Sequence, residues 1–478
     1  MLGLFGTLNL AARSLQTQMT GVEVSGQNLA NVNTTGYSRQ RVNIATSADV
    51  TTGIGPEGTG ANAVAIQQLV NSLLNTQIQG QASVSGYWNA QQTALQNAQT
   101  SLNEFLSGTA GSSASSSSDG TSSSGLSGQL NALFSAFQSL AASPTSSTAQ
   151  QALVNQAQNL ASTFNQVDTQ LKNVGASLNT SLNNDVDSAN KLLTDIASLN
   201  SQISTAEFTG GKPNDLLDAR EQDLENLSQL VNIQTSTGTG DAVNITIGGQ
   251  TLVSGNKLAD TLQTYDTGAG TFSPQLMVRT ATGGAPLTLS GGSIQGTIDA
   301  RDGALTSLQT NVNQLASTLI TQVNTIHNAG YSSTGSTGAS FFTGTGSSTI
   351  SVNQALVDNP ALVQTSNSAT ASGDNSVALA LAQLAANAQS GLNNQTFSGA
   401  YTQDVASLGD ALQTANNEST NQSAVATMLQ TQRSSTSGVN IDEEMTNLMG
   451  FQRAYEASAQ LVTTVNQLLS DTLAMKTS

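Results

Sequence analysis

Toward the C-terminus, apolar residues recur at alternating steps of four and three. Ile441, Met445, Leu448, Tyr455, Ala459, Val462, Leu469 and Leu473 hold one heptad register, interrupted only at Gln452 and Asn466. The spacing predicts a helix over residues 438–475 that packs against another helix. Asn440 and Glu443 stand at capping-box spacing, and Asp442, Glu443 and Glu444 put negative charge on the first turn. A second line (Phe451, Leu461, Val465, Leu468) makes the helix apolar over an arc too wide for one partner. Residues 1–29 carry a comparable stripe: Leu4, Leu8, Ala11, Leu15, Met19, Val22 and Leu29, with Gly26 in a weak slot. The stripe gives way to a polar run with Gly36 and an exposed-looking Tyr37 and Arg39, a place where a neighbouring subunit can be gripped. Two amphipathic helices at opposite ends of a chain can close on each other, which makes everything between them one long insertion.

That middle is mostly helical by the same criterion. An extended stretch over 41–50 and a loop over 53–60 precede a helical pattern over 61–106, weakened by Gly80 and Gly86. Ser and Gly dominate 107–125, a loop by composition. A helix over 126–142 stops before Pro144. The longest register follows: Leu153, Ala157, Leu160, Phe164, Val167, Leu171, Val174 and Leu178, stretched by fours through Leu182 and Val186 before Ala189, Leu193 and Ile196. It predicts one long helix, or two with a break near Asn183. From Asn232 the period changes to two, and Gly248–Gly249 reads as a hairpin turn. Helical patterns return over 305–326, 377–388 and 397–432, with a loop or ribbon at 331–360. The expected fold is mainly α with a small β insertion, elongated and multi-domain, the terminal helices forming a coiled-coil-like pair. Three units are expected: 1–60 with 433–478 for polymerisation, 61–231 with 291–432 as a helical rod, and 232–290 as a β domain with its own core.

Composition narrows the chemistry. A formal charge of −17 over 478 residues argues against nucleic acid and anionic membranes, yet only 9% of residues are charged. A surface of Ser, Thr, Asn, Gln and Gly carries few charges to repel a neighbouring copy. Cysteine is absent, which excludes disulfides and thiolate metal sites. No run approaches the ~20 apolar residues of a membrane span, and the start of the chain lacks the pattern of a cleaved signal. A GxGxxG stretch at 53–58 contains Pro56 and lacks the context of a dinucleotide site, so it reads as a loop. His327, the single histidine, excludes a histidine-built metal site and reads as a helix-end residue meeting the C-terminal dipole. Asp215, Asp218, Glu221 and Asp223, beside Arg220, read as solvated charge. No cofactor and no catalytic residue is expected.

NLANVNTTGYSRQ at 28–40 and GVNIDEEMTNLMGFQRAYEASAQLVTTVNQLL at 438–469 resemble the terminal signatures of the axial proteins of the bacterial flagellum. YSRQ at 37–40, DEE at 442–444, NDLLDAREQDLENLSQLVNI at 214–233 and QLASTLITQVNTIHNAGY at 314–331 are similar to the hook-associated branch of that family. Gln150 stands where that branch usually has arginine, and the Ser-rich loop replaces a more acidic segment. The resemblance implies a structural protein joining hook to filament, extracellular and exported through the flagellar channel without a cleaved signal. It implies copies of the same chain in a ring, hook protein on one side, a second junction protein or flagellin on the other, and an export chaperone on the C-terminal helix. A hook or rod subunit is the nearest alternative; the helical middle and the 214–233 segment speak against it. A secreted enzyme or adhesin on a helical stalk is the alternative from another class.

Overall fold

The computed structural model describes residues 3–52, 55–106, 125–371 and 373–477. The Ser-rich stretch and the head of the GxGxxG run therefore lie outside the described residues. Helix α1 (Leu4–Ala30) leads through the polar loop into strand β1 (Gln40–Thr46), a small hairpin of β2 (Val50–Thr52) and β3 (Gly55–Glu57), and β4 (Ala61–Gln68). β1 and β4 pair antiparallel, with a bulge at Asn43/Ile44. The stretch expected to begin a helix at 61 is therefore a strand, and a boundary at residue 60 would cut this ribbon. Both strands of the ribbon lie against α1. The remainder of the GxGxxG run forms β3, and no helix follows it to present a phosphate-binding N-terminus.

The rod begins with α2 (Ser72–Leu106), α3 (Leu126–Ala142) and α4 (Ser147–Phe208). α4 is unbroken over 62 residues, about 93 Å at 1.5 Å per residue. Its buried line follows the predicted register from Leu153 to Ile196, including the steps of four at Leu182 and Val186, and no break occurs at Asn183. Ser146 caps it by accepting a hydrogen bond from the Ala149 amide. Gly86 does not interrupt α2. A Cβ there would sit 2.0 Å from the Gln229 carbonyl oxygen, so glycine lets the end of α5 (Asn214–Leu230) approach.

Strands β5 (Ile233–Thr237), β6 (Val243–Ile247), β7 (Gln250–Ser254) and β8 (Lys257–Leu258) form one antiparallel sheet, turning at Gly248–Gly249 between β6 and β7. β9 (Leu262–Asp266) and β10 (Leu276–Thr280) form a second. Neither has a separate core. Ile245, Ile247, Leu252, Val253, Leu262 and Val278 share one apolar cluster with Leu182, Val186, Leu193 and Ile196 of α4. The expectation of a self-contained β unit is thus corrected: excising 232–290 would strip the cover from the second half of α4. Two thin sheets of short strands cannot bury both of their own faces.

The chain returns through α6 (Gly292–Ala300), a π turn at Arg301–Leu305 and α7 (Thr306–Asn328). Short strands β11 (Tyr331–Ser332), β12 (Phe342–Thr343) and β13 (Ser351–Val352), the turn α8 (Gln354–Asp358) and β14 (Gln364–Ser366) precede α9 (Ser376–Gln383). Finally α10 (Phe397–Ser437) runs back along α2, and α11 (Ile441–Thr477) pairs with α1. The far half of the rod has its own cluster, built from Phe134, Phe137, Leu160, Phe164, Leu315 and Leu319 among others.

Candidate functional site

α1 and α11 pack antiparallel in a heptad register. Ser14 and Ser458 share a hydrogen bond of 2.8 Å, Gly21 lies against the Phe451 ring, and Asn28 Nδ2 donates to Glu444 Oε2 at 3.1 Å. Each pair follows the last by one heptad along both helices. A Cβ on Gly21 would meet Phe451 Cδ1 at 2.6 Å, so glycine sets how closely the helices approach.

The contact line is not the leucine stripe. On α1 the buried residues are Ala11, Thr17, Gly21, Val24, Ser25 and Asn28. Leu4, Leu8, Leu15, Val22 and Leu29 are half-buried on its flanks, and Met19 is 54% exposed. On α11, Glu444 and Val465 are buried; Leu448, Ala459, Val462 and Leu469 are half-buried. Ile441, Met445, Tyr455 and Leu473 are exposed, as are Met449, Leu461 and Leu468. The apolar stripes predicted to make the helix contact lie beside the line that makes it, and their arc is too wide for one partner to cover. One partner helix covers a narrow line, small residues win it because they allow close approach, and the larger side chains fall outside.

In the polar loop Asn33, Thr34 and Thr35 are exposed, whereas Tyr37 and Arg39, expected to be an exposed grip, bond within the chain. Buried Asn28 uses its whole amide: Nδ2 also donates to the Gln40 carbonyl (2.8 Å), while Oδ1 accepts from the Tyr37 hydroxyl and the Gln40 amide (2.9 Å each). Arg39 closes the other side. Its Nε donates to Glu444 Oε1 at 2.7 Å, and its two terminal nitrogens grip both oxygens of Glu443 at 3.0 and 2.8 Å. The hydrogen bonds it donates to Glu443 raise the Arg39 pKa further, and Arg39 in turn holds the Glu443 carboxyl below its usual range. Asn440 caps α11 through the amides of Asp442 and Glu443, but the other half of the predicted capping box is diverted to Arg39. Tyr37 and Arg39 are thus internal ties.

The start of α5 completes this joint. Asp218 accepts from the Ser38 amide at 3.0 Å, Asn214 donates to the Gln40 side chain at 3.2 Å, and Gln68 of β4 donates to the Asn214 carbonyl at 2.6 Å. Burial raises the Asp218 pKa, and burial with Asp215, Asp218 and Glu444 nearby pushes Tyr37 up to about 12. Glu221, raised by burial, accepts from Gln79; Arg433 pairs with Glu225. Arg220, its pKa lowered by burial, donates to Asn200 (3.0 Å) and to the Asp241 carbonyl (2.6 Å). The expected solvated face is therefore, at Asp218, Arg220 and Glu221, a set of ties binding terminal unit, rod and sheet.

The two chain ends and the 214–233 segment thus meet at one point. Residues 115–342 match the flagellar hook-associated protein FlgK helical domain, and residues 430–475 match the flagellar basal body rod FlgEFG protein C-terminal region. Flagellar hook-associated protein 1 of Bacillus subtilis (strain 168) is 27% identical, covering 98% of this chain and 98% of that protein. The chain resembles the FlgK family of flagellar hook-associated proteins. Flagellar hook-associated protein 1 of Escherichia coli (strain K12) is 25% identical over 96% of this chain and 98% of its own. The fold is that of the flagellar hook junction protein FlgK from Burkholderia pseudomallei, with a TM-score of 0.63 at 17% identity, covering 76% of this chain and 100% of that one.

No cluster of three His, Asp or Glu side chains able to hold a metal occurs among the described residues, and no described helix is long and apolar enough to cross a membrane. His327 is not a charged cap on the α7 dipole. It is fully buried: Nδ1–H donates to the Ala339 carbonyl at 2.7 Å, and Nε2 accepts from the Gln364 amide at 3.0 Å. Burial pulls its pKa down to about 4. Sequence reasoning missed three positions. Gly21 and Asn28 share the heptad phase of the pair but are not apolar, so a hydrophobic count passes over them. Arg301, fully buried and bonded to Asp302 and Asn179, carried no periodic signal at all.

Proposed function

We infer that this chain is the subunit that connects hook to filament in a bacterial flagellum, a structural part and not a catalyst. The observation that carries the reading is the terminal unit: a closed antiparallel pair whose outer faces still show Ile441, Met445, Met449, Tyr455, Leu461 and Leu468 to solvent. Patches of that kind on a polar protein mark contact with other subunits. The terminal unit comprises α1, the ribbon of β1 to β4 and α11, and packs with copies of itself in a ring. The rod and sheets face outward. Hook protein lies on one side, and a second junction protein or flagellin on the other. The subunit leaves the cell through the flagellar export channel and works outside it, with an export chaperone holding α11 before assembly. A strain lacking the chain should build hooks and release filament protein into the medium. Electron microscopy of filament-stripped flagella carrying a labelled chain should place the label at the hook tip. Label spread along the hook or in the rod would instead favour the hook or rod subunit.

A further inference from the structure

Methionine usually sits in a core. Of the seven methionines here, Met19, Met428, Met445, Met449 and Met475 are exposed, while Met277 of β10 is half-buried against the second cluster. Met445 and Met449 lie four residues apart on α11, in line with exposed Ile441 and away from the line that meets α1. The chain has no cysteine, so thioethers are its softest oxidisable groups. A flexible, polarisable side chain suits a face that must fit neighbours of unlike shape, which is a reason for methionine where leucine would resist oxidation.

We propose that Met445 and Met449 are an oxidative modification site through which a hydroperoxide withdraws the unassembled subunit from assembly. The proposal rests on the reading that this stripe is covered by a neighbouring subunit. The sulfur lone pair attacks a peroxide oxygen, and the S–O bond forms as the O–O bond breaks; with hydrogen peroxide the departing hydroxide takes up the proton of the transferred S–OH group, leaving sulfoxide and water. Sulfur is oxidised and peroxide reduced. The sulfoxide oxygen is a strong acceptor, and burying it against an apolar neighbour without a donor opposes docking. Once the stripe is covered, the sulfurs are shielded, so the sensitivity belongs to the subunit before assembly.

The test uses the full chain, exposed to hydrogen peroxide and mapped by mass spectrometry. Met445 and Met449 should oxidise well ahead of Met277. Untreated and treated protein is then supplied to cells lacking their own copy, and attached filaments are counted by electron microscopy. Oxidation should lower attachment roughly tenfold or more. In the double variant Met445→Leu, Met449→Leu, whatever its attachment before treatment, the same peroxide exposure should cause no further loss. Methionine sulfoxide reductase should restore the oxidised wild type, an arm that needs no substitution. Undiminished attachment of the oxidised wild type, or equal loss in the leucine variant, overturns the oxidation site. Failure of untreated protein to restore attachment overturns the assembly reading first, and the site with it.

Discussion

Asn28 shows how much one residue can carry in a chain with few charges. Its amide supplies both donors and both acceptor positions to Gln40, Tyr37 and Glu444 from a buried position. Asn28→Asp replaces two donors with a second carboxylate facing Glu444. Removing donors from buried acceptors costs about 1–3 kcal/mol each before charge repulsion is counted. We predict loss of filament attachment in this variant, and partial recovery on adding Glu444→Gln, which removes one charge and supplies a donor. A double-mutant cycle on attachment showing no coupling would remove Glu444 from this account. His327 gives a pH prediction. Unfolded, it takes up a proton near its ordinary value of ~6.5; folded, it does so only at about 4. The unfolded state therefore binds more protons between those values. Stability should fall as pH drops from ~6.5 to about 4, by on the order of 3 kcal/mol, and then level off for this group. Denaturant titrations of wild type and His327→Gln across that window test it: the difference between their stabilities should shrink with acid.

At the scale of elements, α11 has two jobs on different faces. Val465 is buried within the chain, whereas Leu461 is exposed. Val465→Asp should destroy the α1–α11 pair itself and cost several kcal/mol wherever that pair forms. Leu461→Asp should leave the chain's circular dichroism unchanged and stop assembly. Normal filaments with Leu461→Asp would show that its face is ordinary surface. Leu448 and Leu469, half-buried, belong to both faces, so aspartate at either should damage pairing and assembly together.

For the whole molecule, the contrast lies between rod and ends. The far half of the rod buries large side chains such as Phe134, Phe137, Phe164 and Leu319. The terminal pair closes over Ala11, Gly21 and Ser25, which contribute little apolar area. Against the ordering entropy of two long helices, one such contact recovers only a few kcal/mol, at roughly 25 cal/mol per Å². We therefore expect the terminal segments of the dilute subunit to open readily and to become fully helical on assembly. Hydrogen exchange should be fast through residues 4–29 and 445–473 and slow through 153–178. Equal protection in all three would mean the pair is stable alone, and assembly would then need no coupled folding.

Period and length in the sequence determined the helices. The α4 register is continuous because its apolar side chains, at steps of three and four, all find cover, and such a pattern is legible wherever burial is decided by a residue's own character. The paired ends were legible for the same reason. Tertiary structure alone decided which line of each terminal helix touches the other, because close approach selects small residues that hydropathy ignores. It alone turned Tyr37, Arg39 and Asp218 from surface into joint, since three segments far apart in the chain supply one another's hydrogen bonds there. It alone denied the sheets a core of their own: their inner faces are completed by α4, and no local period records what a strand will lie against.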